Sequence, residues 1–556
     1  MKRTTTLLLA AAMLAACAPA RPASTVPAPP PPSPAQPEPA RPPEPPVAEA
    51  AAPPAAWWLA GTDATGRYGA GVERAYRELL AGRAPRQTVV VAVIDSGVDI
   101  EHDDLDGNLW VNDDEVASNG RDDDGNGYID DVHGWNFIGG SDGRHVDHDT
   151  FEVTRLVALC RQHAAGGTAS PAPPATECPA IEAAFRERVD KYRQMQMQLQ
   201  GMNVALTQFV QLLRQQLNGD SLTVTAVQRL RPIRNDVRQA QSAYLQLAGM
   251  GYSPEDIAEE LEDVNGMLEY GLNPSFDPRS IVGDNYGDPT ERVYGNASVT
   301  GPDASHGTGV AGIIAAERGN GLGEDGIASA VRIMVLRTVP DGDERDKDVA
   351  NAIRYAADNG ARIINMSFGK SHSPFKQVVD DAVKHATSKG VLLVHAAGND
   401  AADLAREPNF PTPKYLAGGE SDTWLEIGAS GWKGAGALAA EFTNYGAQQV
   451  DVFAPGVDIH TTDVKQDWQR NSGTSFAAPV VTGVAALIMA YHPELSARVV
   501  RAIILESATP LREQLVVRPG TPDEQVRFGE LSRTGALVNA YDALKLAAQR
   551  AGTGGR

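Results

Sequence analysis

The stretch NSGTSFAAP, residues 471–479, runs directly into the apolar segment at residues 480–489. Small residues around Ser475 and the long apolar continuation predict a buried helix that begins near this serine. At a helix N-terminus the free backbone N–H groups and the positive end of the helix dipole can stabilise an oxyanion, so Ser475 is a candidate nucleophile. Serine also caps ordinary helices, and that second interpretation stays open on this stretch alone.

His306 is the candidate general base. It stands in DASHGTGVAGII, residues 303–314, where small and apolar residues follow the imidazole. That composition predicts a helix that presents His306 in its first turn and lets another backbone approach closely at its glycine positions.

Two polar side chains end buried strands. Residues 88–94, TVVVAVI, form a β-branched run typical of a strand buried on both faces, and Asp95 follows it. Residues 390–398 predict a second buried strand, which Asn399 closes. Open α/β sheets place their sites at the carboxyl ends of strands. We therefore expect Asp95 to orient the imidazole and Asn399 to donate to an oxyanion.

Five motifs, VIDSGVD, HGTGVAG, NMSFG, HAAGND and GTSFAAP, follow one another in this order along the chain. Together they resemble the subtilisin-like serine proteases, or subtilases, over residues 86–142 and about 284–510. The resemblance implies an α/β fold in which a doubly wound, mostly parallel sheet carries helices on both faces. It also implies a serine endopeptidase that cleaves polypeptides through an acyl-enzyme.

The resemblance assigns a role to each residue that matches a motif. Asp95 orients the imidazole, His306 is general base and then acid, and Ser475 is the nucleophile. Asn399 serves the oxyanion hole. Two further segments resemble the strand that pairs with an extended substrate and the wall of the S1 pocket: Ser367, Phe368 and Gly369, and Ala396, Ala397 and Gly398.

Two positions depart from the family pattern. Gly309 stands where the second histidine of HGTHVAG is usual, and Val480 stands where SPHVAG carries its histidine. Neither position belongs to the triad, so the expected activity is kept. The packing of the two central helices is what these substitutions affect.

Asp95 and His306 are separated by far more residues than family members usually have, so we predict a helical insertion at residues 150–283. Helix-forming residues dominate residues 181–270, and SPED at residues 253–256 is a helix N-cap signature. A helical hairpin or small bundle packed on itself accounts for this composition, while a docking surface for substrate or an adaptor is the alternative. An apolar stripe at spacings of three and four indicates one amphipathic helix: Leu199, Met202, Leu206, Phe209 and Leu213.

The acidic stretch NGRDDDGNGYIDD, residues 119–131, alternates oxygen-bearing side chains and has a glycine at the sixth position counted from Asp122. The pattern fits the first half of an EF-hand-like calcium loop, although His133 replaces the usual glutamate of the twelfth position. Some subtilases carry a similar loop. A solvated acidic turn is the alternative. We predict structural calcium with ligands from Asp122, Asp124, Asn126, Tyr128, Asp130 and Asp131.

The N-terminus predicts export. Residues 1–17 combine a basic start, a short apolar run and the tetrad LAAC, which resembles a bacterial lipobox and implies a lipidated Cys17. Ordinary secretion is the alternative. The apolar run is too short to span a membrane. Residues 18–56, rich in Pro and Ala, predict an extended spacer, so we expect a lipid-anchored protein of the bacterial envelope, on the periplasmic or surface side of the outer membrane.

Cysteine usage and charge agree with that location. In an oxidising compartment the remaining pair, Cys160 and Cys178, predicts a disulfide rather than a metal site. The chain has 71 acidic and 49 basic residues and a net charge of −22, which argues against nucleic acid as a partner. We expect a monomer that acts on polypeptides.

The predicted organisation combines these segments. A signal peptide at residues 1–17 and a linker at 18–56 precede a catalytic domain in two parts, 57–149 and 284–550, around the insertion at 150–283. Two other functions stay open: a catalytically inactive binding scaffold, and a transpeptidase or maturation enzyme. All four chemical positions are intact, which disfavours the scaffold.

Overall fold

The computed structural model describes residues 53–62, 67–167, 173–219, 221–250 and 252–553. The predicted lipidation site, Cys17, lies outside them. The chain divides into two compact units, the larger formed by Ala55–Gln194 and Glu262–Arg556, and the smaller containing Met195–Leu261. This division falls inside the predicted insertion, so both ends of that span group with the larger unit.

The larger unit is built on a nine-stranded sheet with the order β10-β13-β7-β6-β5-β4-β1-β3-β2. Neighbouring strands are parallel except β10 and β13. Two further antiparallel pairs, β8 with β9 and β11 with β12, lie outside this sheet. In chain order the strands are β1 Val89–Asp95, β2 Gly134–Asn136, β3 Val331–Arg337, β4 Ile363–Met366, β5 Leu392–Ala396, β6 Trp424–Ser430, β7 Val452–Pro455, β8 Ile459–Asp463, β9 Asp467–Asn471, β10 Thr509–Pro510, β11 Leu515–Val517, β12 Gln525–Arg527 and β13 Ala536–Leu537.

The helices are mostly short connections between strands. Single turns of 3-10 helix occur at Asp106–Asn108, Pro278–Ser280, Ala435–Ala437 and Phe528–Glu530, and π-helical turns at Tyr76–Leu80 and Met267–Gly271. The α-helices are α1 Val72–Ala75, α2 Glu152–Ala164, α3 Cys178–Leu217, α4 Val224–Arg229, α5 Asn235–Gly249, α6 Pro254–Gly266, α7 Ser305–Ala315, α8 Asp346–Asp358, α9 Lys376–Ser388, α10 Thr474–Tyr491, α11 Ala497–Ser507 and α12 Ala540–Thr553.

Alternate residues of the central strand β1 enter two different cores. Val91 and Val93 belong to the cluster that contains α7 and α10, whereas Ala92 and Ile94 belong to the cluster that contains α8 and α9. Successive side chains of a strand point to opposite faces of its sheet, so helices cover both faces of this one. The doubly wound, mostly parallel fold predicted from the motifs is confirmed.

Helix α10 is the apolar helix predicted from residues 480–489. It is long and apolar enough to cross a membrane by length and composition, but 94% of that window is buried inside the protein. It is therefore a core helix. Val480, the second departure from the family pattern, is fully buried in the core beside α7.

The predicted insertion is helical where it is described. Helices α2 to α6 all lie within residues 150–283. The N-cap signature forms a reciprocal capping box, since Ser253 Oγ accepts from the Asp256 N–H and Asp256 Oδ2 accepts from the Ser253 N–H. In the smaller unit, α3 contributes Leu213 and Leu217 to an apolar cluster with residues of α4 and α5.

Candidate active site

Asp95 and His306 form the centre of the site. Asp95 ends β1 and is buried, and His306 stands in the first turn of α7. The His306 Nδ1 lies 2.7 Å from Asp95 Oδ1, which also accepts the Ser96 N–H at 2.8 Å. An ionised carboxylate only accepts hydrogen bonds, so Nδ1 is the protonated nitrogen and Nε2 is left as a base.

The start of α10 lies beside this imidazole. The Phe476 ring meets the His306 ring edge-on, with the ring centroids 5.4 Å apart. Ser475 precedes Phe476 directly and is the second residue of the helix. Among the described residues, no hydrogen bond joins the Ser475 hydroxyl to His306 Nε2.

The helix N-terminus leaves one N–H group beside the candidate nucleophile. The Thr474 N–H donates to Asn399 Oδ1 at 2.8 Å. The Phe476 N–H donates to the Gly473 carbonyl at 3.1 Å. Among the described residues the Ser475 N–H has no acceptor, as expected in the first turn of a helix. It is available to an oxygen brought to Ser475.

Asn399 is held through its oxygen. Its Oδ1 accepts both the N–H and the hydroxyl of Thr474, at 2.8 and 2.9 Å, which fixes the orientation of the amide. The side chain is exposed, and its Nδ2 donates to no other residue in the described part of the chain. Asn399 therefore presents an oriented donor close to the start of α10.

A buried chain of polar side chains, which the sequence analysis missed, ends at the backbone of Ser475, the candidate nucleophile. The Thr482 hydroxyl donates to Asn365 Oδ1, and Asn365 Nδ2 donates to the Ser367 hydroxyl. Ser367 in turn donates to the Ser475 carbonyl at 2.8 Å. Polar residues inside otherwise apolar β4 and α10 were the signal that such a chain exists, because buried polar groups need partners.

The two predicted substrate segments lie at the carboxyl ends of neighbouring strands. Ser367 and Phe368 are buried after β4, and Gly369 is exposed. Ala396 ends β5, with Ala397 and Gly398 following. The Ser367 hydroxyl donates to the Ser475 carbonyl. Gly398 adopts a φ of 103°, a conformation that suits glycine, and its N–H donates to the Thr474 hydroxyl.

The first departure from the family pattern has a packing partner. A Cβ at Gly309 would lie 3.2 Å from the Phe476 ring and 3.3 Å from the Thr461 methyl group. The Thr461 hydroxyl of β8 also donates to the Gly309 carbonyl. A small residue in α7 thus accommodates a large aromatic residue next to Ser475.

The acidic loop gathers a different carboxylate set from the predicted one. Glu115, Asp124 and Asp131 place carboxylate oxygens within 4.8 Å of one another. Glu115 was missed because it precedes the repeating pattern. Asn126 Nδ2 donates to both aspartates, at 2.9 and 3.1 Å. Burial and the nearby Asp124 raise the pKa of Asp131 above its usual range.

The remaining predicted ligands shape the loop. Asp122 accepts the N–H groups of residues 125–127, and Asp130 accepts those of residues 119–120. Tyr128 is buried in an aromatic cluster and donates its hydroxyl to the Arg292 carbonyl. These groups hold the loop closed around the three carboxylates. Hard oxygen donors of this kind fit calcium.

The predicted cysteine pair is joined. Cys160 of α2 and Cys178 at the start of α3 form a disulfide in the larger unit. It closes the loop between these helices, part of which lies outside the described residues.

Comparison with known proteins completes these observations. Residues 86–529, well over half of the chain, match the family described as the subtilase family. The chain belongs to the subtilase family. It is a subtilisin-like serine protease, as the order of its motifs predicted. The match begins before β1 and ends after β12, so residues 150–283 lie within it.

Individual relatives cover less of this subtilase. A thermophilic serine proteinase from Bacillus sp. (strain AK1) is 40% identical over 186 residues, which are 33% of this chain and 42% of that protein. Subtilisin DY from Bacillus licheniformis is 31% identical over 258 residues, 46% of this chain and 86% of that protein. The structure of the prenylagaramide maturation protease PagA is 29% identical, and the match covers 44% of this chain and 82% of that one with a TM-score of 0.35.

Proposed function

We propose that this subtilase is a serine endopeptidase that hydrolyses peptide bonds through Asp95, His306 and Ser475. The observation that carries the proposal is the 2.7 Å contact between His306 Nδ1 and Asp95 Oδ1, beside a serine with an unpaired N–H at a helix N-terminus. That combination supplies a nucleophile, an oriented base and a hydrogen-bond donor for the oxyanion.

Each residue takes one part of the reaction. Ser475 Oγ attacks the substrate carbonyl while His306 Nε2 accepts its proton, and Asp95 stabilises the resulting imidazolium. The oxyanion receives hydrogen bonds from the Ser475 N–H and Asn399 Nδ2. His306 then protonates the leaving amine, and the same base activates the water that hydrolyses the acyl-enzyme.

The substrate backbone pairs with residues 367–369, which follow β4 and are called the substrate edge. Gly369 is its exposed residue, and the segment Ala396 to Gly398 forms the facing wall. Main-chain pairing of this kind recognises extended peptides with little dependence on sequence. The substrates are accordingly unfolded or loop segments of proteins.

Hydrolysis of casein and of a chromogenic peptide tests this function. Wild-type protein should cleave both, a serine-directed fluorophosphonate should block cleavage, and Ser475→Ala should lose activity by roughly a million-fold. Asn399→Ala should retain the fluorophosphonate-reactive serine but lose about 10²–10³ in kcat. An intact, folded wild-type protein without hydrolysis would favour the inactive scaffold instead.

We also propose that the protein is a lipid-anchored monomer of the bacterial envelope. The tetrad ending at Cys17 supports lipidation, and the spacer at residues 18–56 supports display away from the membrane. One chain supplies every triad member, which supports a monomer. Metabolic labelling with a fatty-acid analogue should mark the wild type and not Cys17→Ala, with the wild type in the outer-membrane fraction. Labelling of both proteins, or of neither, would reject the anchor.

Residues 150–283 are, in this proposal, an insertion into the catalytic domain. The supporting observation is that the two ends of this span are joined, because the Phe151 N–H and the Thr154 hydroxyl both donate to the Gly271 carbonyl, at 2.9 and 2.8 Å. Chain ends that meet in this way allow an insertion without breaking the surrounding fold.

A structural calcium ion completes the proposal. Glu115, Asp124 and Asp131 would hold it, with Asp122 and Asp130 fixing the loop. Bound calcium supplies positive charge that neutralises the mutual repulsion of these carboxylates and so rigidifies the loop.

A further inference from the structure

Lys370 is a buried lysine that directly follows the substrate edge. Its side chain is 1% exposed, and its Nζ donates to Glu152 Oε2 and to the Glu344 carbonyl, both at 2.8 Å. It also lies 2.8 Å from Asp346 Oδ1. Burial alone would lower the pKa of Lys370, but the surrounding carboxylates raise it well above its ordinary value. A buried ammonium group held by three acceptors is firmly located.

Glu152 belongs to the base of the insertion. It opens α2, and its N–H donates to Asp343 Oδ2 at 2.8 Å. Its Oε2 accepts from Arg155 at 2.7 Å as well as from Lys370. Burial would raise the pKa of Glu152, but Arg155 and Lys370 hold it well below its usual range. We call residues 149–155, which are joined to Gly271, the root of the insertion.

The backbone of Lys370 continues the segment that leads to the active site. Its backbone exchanges two hydrogen bonds with Phe410, at 3.1 and 2.8 Å. Gly369 lies against the Asn409 side chain so closely that a Cβ would fall 2.3 Å from it. At the start of the segment, Ser367 donates to the Ser475 carbonyl. The substrate edge thus runs from the nucleophile's backbone to the root of the insertion.

We propose that Lys370 and Glu152 are positioning residues through which the root of the insertion holds residues 367–369 in register for an extended peptide. The inference rests on the proposed peptidase function. Loss of this support should affect long substrates selectively. A peptide that pairs along residues 367–369 depends on the position of that segment, whereas a substrate of one residue depends only on the triad and the oxyanion donors.

Steady-state kinetics on two substrates test this inference. One is a chromogenic peptide with four residues before the cleaved bond, and the other is a capped single-residue ester with the same residue at that bond. Lys370→Met should raise KM for the peptide about tenfold or more, with kcat/KM for the ester within about twofold of wild type. The milder Glu152→Gln should lower kcat/KM for the peptide relative to kcat/KM for the ester, in the same direction as Lys370→Met.

Lys347→Met is the matched control. Lys347 is also a fully buried lysine, paired with Asp284 and Glu291, and its side chain forms no hydrogen bond or ion pair with the described residues 367–370. Its loss should lower stability without changing the ratio of peptide to ester kinetics. In the double variant Lys370→Met/Glu152→Gln, stability should partly recover because the charge of Glu152 is removed together with that of Lys370, while Asp346 keeps its hydrogen bonds from the Ser373 hydroxyl and the Phe375 N–H. The peptide KM should stay high.

The outcomes separate the two proposals. Equal losses on both substrates in Lys370→Met, or the same selective loss in Lys347→Met, would make Lys370 a stability residue only and overturn the inference. Wild-type protein that cleaves neither substrate and does not react with a fluorophosphonate would overturn the proposed function instead.

Discussion

Glu344 is a buried carboxyl group with other carboxylates nearby. It is 2% exposed, and its Oε1 has no hydrogen-bond partner among the described residues. Burial, reinforced by the nearby carboxylates Asp343 and Asp346, raises the pKa of Glu344 to about 8. The cations around the root, Arg155, Arg345 and Lys370, are already shared with other acids. A neutral Glu344 is the consequence.

The raised pKa makes stability depend on pH in a defined direction. A carboxyl group whose pKa is higher in the folded protein stabilises it fully below the unfolded pKa, near 4.5, and this contribution is lost as pH rises through about 8. In a Ser475→Ala background, Glu344→Gln should therefore match its parent near pH 5 and exceed it near pH 9, by about 2 kcal/mol or more in the free energy of unfolding.

Denaturant unfolding at several pH values measures this difference. Glu177→Gln, which changes an exposed glutamate, is the control and should run parallel to the parent at every pH. Parallel curves for Glu344→Gln as well would show that Glu344 is ionised in the folded protein and would contradict the assignment.

At the scale of elements, the pairing of α7 with α10 depends on a small residue facing a large one. Gly309→His, which restores the usual family residue, should crowd Phe476 and cost about 1–3 kcal/mol. The melting temperature should fall by roughly 2–8 °C. Gly309→His/Phe476→Met should recover most of the loss. A Gly309→His variant as stable as its parent would mean that the two positions do not share this space.

The acidic loop is the second element that allows a direct test. Calcium at saturating concentration should raise the melting temperature of the Ser475→Ala protein by about 5 °C over a chelator-treated sample. Asp124→Ala should abolish the shift, while Asp113→Ala, in the exposed stretch just before Glu115, should keep it. An identical melting temperature with calcium and with chelator would leave the loop as a hydrogen-bonded acidic turn.

At the scale of the whole molecule, the disulfide and the proposed anchor both relate to the cellular compartment of the protein. Cys160 and Cys178 are separated by 18 positions, and closing a loop of about this length stabilises a protein by about 3 kcal/mol in the chain-entropy treatment. Cys160→Ala/Cys178→Ala should lower the melting temperature by several degrees, and reduction should lower that of the parent equally. A maleimide that modifies both cysteines in unfolded, unreduced protein would contradict the bond.

Much of the fold, and the positions of Asp95, His306 and Ser475 within it, was predictable because short-range patterns encode them. A β-branched run that ends in Asp95 predicts a buried strand, and the apolar segment after Ser475 predicts a helix, of which Ser475 is the second residue. Glu115, Glu152 and Lys370 were not predictable in the same way. Glu152 and Lys370 contact each other across a long stretch of sequence, and Glu115 lies before the repeating acidic pattern. A single charged residue has no period that indicates its partner. Asn365 was partly predictable. A polar residue in an apolar strand indicates that a hydrogen-bond partner exists, but it does not identify that partner.

The identity of the nucleophile is the central claim, and mapping a covalent adduct tests it most directly. Wild-type protein incubated with a fluorophosphonate should gain one adduct per chain, and peptide mass spectrometry should locate it on Ser475. His306→Ala should react far more slowly, because the base is absent, while Asn399→Ala should be labelled at the same residue. An adduct on another residue, or hydrolysis that continues while Ser475 is unmodified, would contradict the account.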